Sequence, residues 1–146
     1  MSPLPAHLPP ETARSLAFWH DLVARRDFGP LEQIIHPQAV FRSPVSIHPY
    51  GPAPALLLAL RTVITIFEDF TYHRQLASDD GLSVVLEFSA RVGDKQLKGI
   101  DLIRFDASGL IVDFEVMIRP LNGLQALAAE MGARLAQAMP GYKIKG

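Results

Sequence analysis

The chain has 146 residues, of which 49% are hydrophobic and 20% are charged, a balance typical of one folded domain with a sizeable core rather than a disordered chain. The formal net charge is −1, so no basic surface is expected for nucleic acid or for anionic lipid. There is no cysteine, which excludes disulfides, thiolate zinc sites and a cysteine nucleophile.

The first half of the chain is predicted to be mainly helical. Met1–Pro10 is proline-rich and is expected to be a flexible leader. Apolar residues then recur at helical spacing, with His20 and Arg25 expected on the solvated face of the first helix. Helices are predicted at about Pro10–Arg26, Leu31–Ile35 and Ala55–Phe67, and a short strand at 39–43.

From residue 69 the apolar residues alternate, which is the pattern of strands. Turn-forming sequences separate four such stretches, with glycines at 81, 93 and 109. Strands are predicted at about 69–77, 82–92, 96–105 and 110–119, and a terminal helix at Leu121–Met139. Helices followed by a meander indicate an α+β fold, with a single domain at 11–140 and a tail at 141–146.

Asp101 stands in the middle of the third strand of this meander. A two-residue loop at Gly93-Asp94 pairs Asp101 with Leu86, and a four-residue turn before Leu110 pairs Asp101 with Phe114. Paired residues project from the same face of a sheet. Asp101 is therefore predicted to be the lone charge on an apolar face made of Val84, Leu86, Phe88, Val112, Phe114 and Val116.

A carboxyl in such surroundings is expected to have a raised pKa, which suits a general acid or base. The alternative is a structural carboxylate paired with Trp19, a histidine or an arginine. The opposite face of the meander includes Ile111 and is half apolar, more than solvent requires. A homodimer is expected through this face. Whether Tyr72 or His73 points inward stays open.

The element order, the short strand Val40-Phe41-Arg42-Ser43-Pro44-Val45 and the stretch Gly99–Asp106 resemble the nuclear transport factor 2-like superfamily. That superfamily includes SnoaL-like polyketide cyclases and ketosteroid isomerase, and the resemblance covers roughly residues 11–125. It implies a cone-shaped α+β barrel: N-terminal helices packed in a curved antiparallel sheet around an apolar cavity, with a C-terminal helix. The dimer would form through the outer sheet face, at Ile100, Leu102 and Met117.

The resemblance also implies roles for three residues. Ketosteroid isomerase uses an aspartate base, a tyrosine in the oxyanion hole and a protonated aspartate. Asp101 falls on the protonated aspartate, Ser43 on the base and Trp19 on the tyrosine. Because serine cannot take up a proton at neutral pH unaided, the cavity is expected to carry over and steroid isomerisation is not.

Further site candidates follow from the same resemblance. His48 and Tyr50 lie on the loop near the cavity mouth, where His48 would act as a base and Tyr50 as a hydrogen-bond donor; ordinary surface residues are the alternative. A dyad of Asp101 with His48 or His73 stays open. The residues expected to contact a ligand are Trp19, Phe41, Ser43, Tyr50, Phe67, Tyr72, Phe88 and Phe114.

The chain is thus expected to bind a small hydrophobic molecule. It would act as an isomerase, cyclase, dehydratase or hydrolase through Asp101, or else as a non-catalytic binding module or dimeric scaffold. No metal or cofactor is expected, because the five histidines are scattered and no nucleotide motif is present. With no signal peptide and no apolar run of about 18 residues, a cytoplasmic location without membrane contact is expected.

Overall fold

The computed structural model describes residues 3–136, 139–142 and 144. These residues form an α+β architecture, as predicted, with three helices, two short 3₁₀ segments and five strands. The helices are α1 (Pro10–Arg25), α2 (Ala53–Val63) and α3 (Leu121–Leu135), and the 3₁₀ segments are Gly29–Ile34 and Met139–Tyr142. The strands are β1 (Ile35–Arg42), β2 (Glu68–Ala77), β3 (Ser83–Val92), β4 (Lys95–Phe105) and β5 (Ile111–Arg119).

The five strands form one curved, open sheet in the order β1-β5-β4-β3-β2. Strands β2 to β5 make an antiparallel meander, and β1 joins β5 in parallel, so the sheet is mixed. The main core lies between the inner face of this sheet and helices α1 and α2. A smaller cluster extends under α3 through Leu127. No helix in the described ranges is long and apolar enough to cross a membrane.

Three predicted element boundaries are wrong. Strand β1 begins at Ile35, so His36 and Pro37 lie inside a strand instead of ending a helix. An edge strand tolerates this proline, and the pairing of β1 with β5 is irregular between Ile35 and Val40. Helix α2 ends at Val63 and not at Phe67, because the chain turns there through hydrogen bonds to the Val63 carbonyl. The predicted end of the last helix, Met139, belongs to the second 3₁₀ segment.

The predicted pairing of β3 with β4 is confirmed, with Leu86 opposite Asp101. The predicted pairing of β4 with β5 is wrong by two residues, since Asp101 lies opposite Val116 and not Phe114. A shift of two keeps every side chain on its face, so Asp101 still points inward. One residue of the shift comes from the turn, since Phe105 lies opposite Ile111 and not Leu110, and the other comes from a bulge next to Arg104. Ile111 therefore faces the core together with Phe105 and is fully buried.

The structure settles the direction of two residues of β2. Tyr72 packs against the main core, whereas His73 is exposed and bonds the Ser89 hydroxyl on the outer face. On that outer face Met117 is 45% exposed, and Ile100 and Leu102 are half-buried. The homodimer expected through these residues stays a prediction.

The segment before α1 lies against the sheet. Leu4 and Leu8 pack on the core, and the His7 Nε2 atom lies 2.7 Å from the Ser78 carbonyl oxygen. These contacts hold it beside the turn between β2 and β3.

Gly99 lets β4 pack closely against β3 and β5, two residues before Asp101. A Cβ atom at Gly99 would overlap the Met117 carbonyl oxygen and lie 2.8 Å from the Phe88 ring. We expect Gly99→Ala to lower the free energy of unfolding by about 1–3 kcal/mol, measured by urea unfolding, because backbone and a packed ring both have to move. Gly132→Ala on α3 is the matched control, since a Cβ there meets nothing within 4 Å and alanine favours a helix. Equal stability of the two variants would contradict this account.

Candidate functional site

A cavity of about 440 Å³ lies between α1, the end of α2 and the inner face of the sheet. Its walls are mainly apolar. The lining residues at the two ends of the cavity differ in burial. Trp19, Asp101 and Phe114 are almost completely buried, whereas Ala24 and Arg26 are exposed. The first group therefore forms the floor and the second the mouth. We call this space the Asp101 cavity.

A hydrogen-bonded chain of three side chains lies at the floor. The Trp19 indole N–H donates to the Tyr72 hydroxyl oxygen at 3.0 Å, and that hydroxyl donates to Asp101 Oδ2 at 2.6 Å. The Trp19 ring is held by stacking on Phe28, with ring centroids 5.0 Å apart, and by contact with Phe114. Asp101 is the lone charged residue on the buried face of β3, β4 and β5, as predicted. Its carboxyl is thus fixed in position by elements α1 and β2.

The Asp101 carboxyl and the Tyr72 phenol differ in how readily they release a proton. Burial raises the pKa of the Asp101 carboxyl to about 7, although the hydrogen bond from Tyr72 acts in the opposite direction. Burial and the neighbouring Asp101 charge raise the pKa of the Tyr72 phenol well above its ordinary value. Near neutral pH the carboxyl therefore exchanges its proton, while the phenol keeps its own and remains a donor.

His20 also lines the Asp101 cavity, which corrects its predicted place on a solvated helix face. It is only 2% exposed, lies edge-on to the Tyr72 ring and has its Nε2 atom 2.7 Å from Gln75 Oε1. Burial lowers its pKa, so the imidazole is neutral at neutral pH and donates this hydrogen bond through Nε2. Its position four residues after Leu16 is the sequence signal that could have placed it on the buried face of α1.

A second cavity of about 270 Å³ lies between β1, the loop after it, α2 and α3. Ser43 and Tyr50 supply its polar groups. The two cavities share a partition formed by Leu60, Val63 and Val116. Ser43 therefore does not lie in the same cavity as Asp101. We call this second space the Ser43 cavity.

The predicted site residues divide between these spaces. Trp19, Phe67, Tyr72 and Phe114 line the Asp101 cavity, and Phe41 lines the Ser43 cavity with Ser43 and Tyr50. Phe88 lines neither, being buried against Phe67 and Phe70.

The histidine dyads left open by the sequence do not form in the described part of the chain. His48 is exposed and lines neither cavity, and its backbone N–H bonds the Ser46 hydroxyl. Tyr72, and not His48 or His73, is the hydrogen-bond partner of the Asp101 carboxyl. Within the described residues no group of three side chains could hold a metal ion.

Comparison with known proteins identifies the family. A model described as a SnoaL-like domain matches residues 16–114, which is more than half of the chain. The chain belongs to the SnoaL-like family. This confirms the resemblance inferred from the short strand and the Asp101 stretch. No curated protein matches this SnoaL-like chain.

Solved structures similar to this SnoaL-like chain include one at high sequence identity. A steroid delta-isomerase from Pseudomonas aeruginosa is 63% identical, with a TM-score of 0.88 over 92% of this chain and 96% of that one. An uncharacterised protein with a cystatin-like fold from Silicibacter pomeroyi is 29% identical, with a TM-score of 0.78 over 85% and 86%. An NTF2-like protein of unknown function from Mesorhizobium loti, at 16% identity and TM-score 0.64 over 82% and 98%, shares the fold.

Proposed function

We propose that this SnoaL-like chain is an isomerase or cyclase that acts on an apolar carbonyl compound in the Asp101 cavity by proton transfer through Asp101. One observation carries the proposal. Among the described residues lining this cavity, the single carboxyl is buried at its floor, fixed by Tyr72, and has a pKa of about 7. A proton-transfer group works best when its pKa lies near the working pH.

The geometry supports the following steps. Neutral Asp101 gives its proton to the carbonyl oxygen of the substrate, and the hydrogen bond from Tyr72 stabilises the carboxylate that results. For an isomerisation, the adjacent carbon then loses a proton to water and forms an enol. The hydronium ion so formed gives a proton to the far carbon of the double bond, while the hydroxyl proton of the enol returns to Asp101. For a cyclisation, an enol carbon of the same substrate attacks the protonated carbonyl instead, and the enol hydroxyl proton passes to the Asp101 carboxylate.

The neighbouring structures guide the choice of the first substrate. The structure at 63% identity is named a steroid delta-isomerase, which supports a steroid ketone as the first compound to test. Ser43, at the position that the resemblance assigns to the base, lines the other cavity and cannot take up the carbon-bound proton at neutral pH unaided. Water, or Asp101 in its ionised form, has to accept it.

The experiment is to incubate the protein with a β,γ-unsaturated steroid ketone in D₂O and to follow the products by NMR. We expect conversion to the conjugated enone, with deuterium entering at the far carbon, because that carbon is protonated from a solvent-exchanged group. Protein inactivated by heat is the control for uncatalysed conversion. If that steroid and a panel of smaller apolar ketones bind without conversion or deuterium exchange, the enzymatic proposal is wrong. The non-catalytic binding module is then the better account.

A further inference from the structure

We infer that the Asp101 cavity takes an acidic ligand: an apolar compound with its carbonyl at the Asp101 floor and an anionic group held by Arg26 at the mouth. The carbonyl end rests on the proposed function, whereas the anionic end rests on Arg26 alone. The two parts can therefore fail separately.

Arg26 is placed to meet the outer end of such a ligand. Trp19 and Val23, four residues apart, share one face of α1, and Arg26, the first residue after the helix, lines the same cavity. Seven residues of helix span about 10 Å. A fused-ring compound or a medium-length acyl chain bridges that distance. The floor of the cavity is buried and Arg26 is exposed, so the charged end of the ligand stays near water.

The Arg26 guanidinium is fixed but carries no ion pair. Its Nη2 atom donates to the backbone carbonyls of Ile64 and Phe67, which hold the group at the mouth. No carboxylate of the described chain pairs with it, whereas Glu68 and Asp69, at the start of β2, are both paired with Arg91. Asp27, the next residue, accepts from the Gly29 N–H. The Nε and Nη1 donors of Arg26 therefore have no acceptor in this part of the protein.

The backbone at Arg26 indicates that its side chain matters. Arg26 follows α1 with φ 52° and ψ 42°, a left-handed conformation in which glycine is favoured. The hydrogen bonds of Arg26 to Ile64 and Phe67, in the linker after α2, use only its Nη2 atom. The Nε and Nη1 donors remain available for an anion, and hydrogen bonds between a guanidinium and an anion are stronger than those between neutral groups.

The test uses two fluorescent probes that share a ring skeleton. Anilinonaphthalene sulfonate carries an anionic group and N-phenylnaphthylamine does not. Binding is followed by quenching of Trp19, the single tryptophan of the chain, which lies at the cavity floor. We expect Arg26→Gln to weaken binding of the sulfonate about tenfold, as loss of a charged hydrogen bond does, and to leave binding of the neutral probe unchanged.

Arg25→Gln is the matched control, because Arg25 is exposed, pairs with Asp21 and lines neither cavity. This variant should bind both probes like the wild type. A second measurement needs no variant: salt should weaken binding of the sulfonate to the wild type and not that of the neutral probe. An equal loss for both probes in Arg26→Gln, or salt-independent binding of the sulfonate, would overturn the inference. Neither result bears on turnover through Asp101, which the neutral steroid ketone tests.

Discussion

Asp101→Asn is expected to lower turnover at least about a hundredfold, since general acid–base groups contribute about 10²- to 10⁴-fold to rate. Asparagine has nearly the same shape and its amide oxygen can still accept the hydrogen bond from Tyr72, but its amide neither gives up nor takes up a proton near neutral pH. The loss should therefore fall on kcat, with ligand binding, followed by Trp19 fluorescence, close to wild type. The measurement is steady-state kinetics at pH 6. At this pH Asp101 is mostly protonated, because its pKa is about 7.

Tyr72→Phe is the companion variant. It removes the donor that holds the Asp101 carboxyl at 2.6 Å and leaves the carboxyl itself in place. We expect a smaller loss of turnover than in Asp101→Asn, together with a further rise of the pKa that governs the rate, because that hydrogen bond favours the ionised form. A variant Asp101→Asn that retains wild-type turnover would disprove the role of Asp101 in proton transfer.

Local sequence patterns predicted most of the fold. The alternation of apolar residues placed the four meander strands, and the two-residue loop at Gly93-Asp94 defined the register that turns Asp101 inward. The same reasoning gave a wrong register across the next turn, because the turn is one residue longer than predicted and a bulge adds a second residue that periodicity does not reveal. The error was harmless for Asp101, since a shift of two residues keeps the face. It gave the wrong direction for Ile111, which was expected on the outer face and is fully buried in the core.

The composition of the site was harder to predict. The resemblance drew attention to the tyrosine position on the first helix, which is Trp19, and so implied that the tyrosine was lost. In the structure Tyr72 of β2 donates to Asp101, and Trp19 donates to Tyr72. Which of three distant residues meet depends on how α1 packs across the sheet, and no local pattern encodes that packing. The partition that separates Ser43 from Asp101 also depends on tertiary packing, which no local pattern encodes.

The Asp101 carboxyl should also make the stability of the protein depend on pH in an unusual direction. Its pKa is about 7 in the folded protein and 3.8 in the ordinary state, so between these values the folded chain keeps a proton that the unfolded chain has lost. Stability therefore falls as pH rises from about 4 to about 7. Each pKa unit corresponds to about 1.4 kcal/mol, so the fall is up to about 4 kcal/mol. Urea unfolding over this pH range measures it.

Asp101→Asn isolates this contribution, because the difference in stability between the two proteins cancels other groups. His20, with a lowered pKa, acts in the opposite direction below pH 6.5. Asp80 and Glu87, with pKa values of about 2, act below about pH 4. We expect the free energy of unfolding of Asp101→Asn, relative to that of the wild type, to increase steadily from pH 4 to 7. It should remain higher above pH 7, where the wild type buries a charge. A difference that does not change with pH would show that Asp101 is ionised in the folded protein throughout. It could not then donate the proton that the proposed reaction requires.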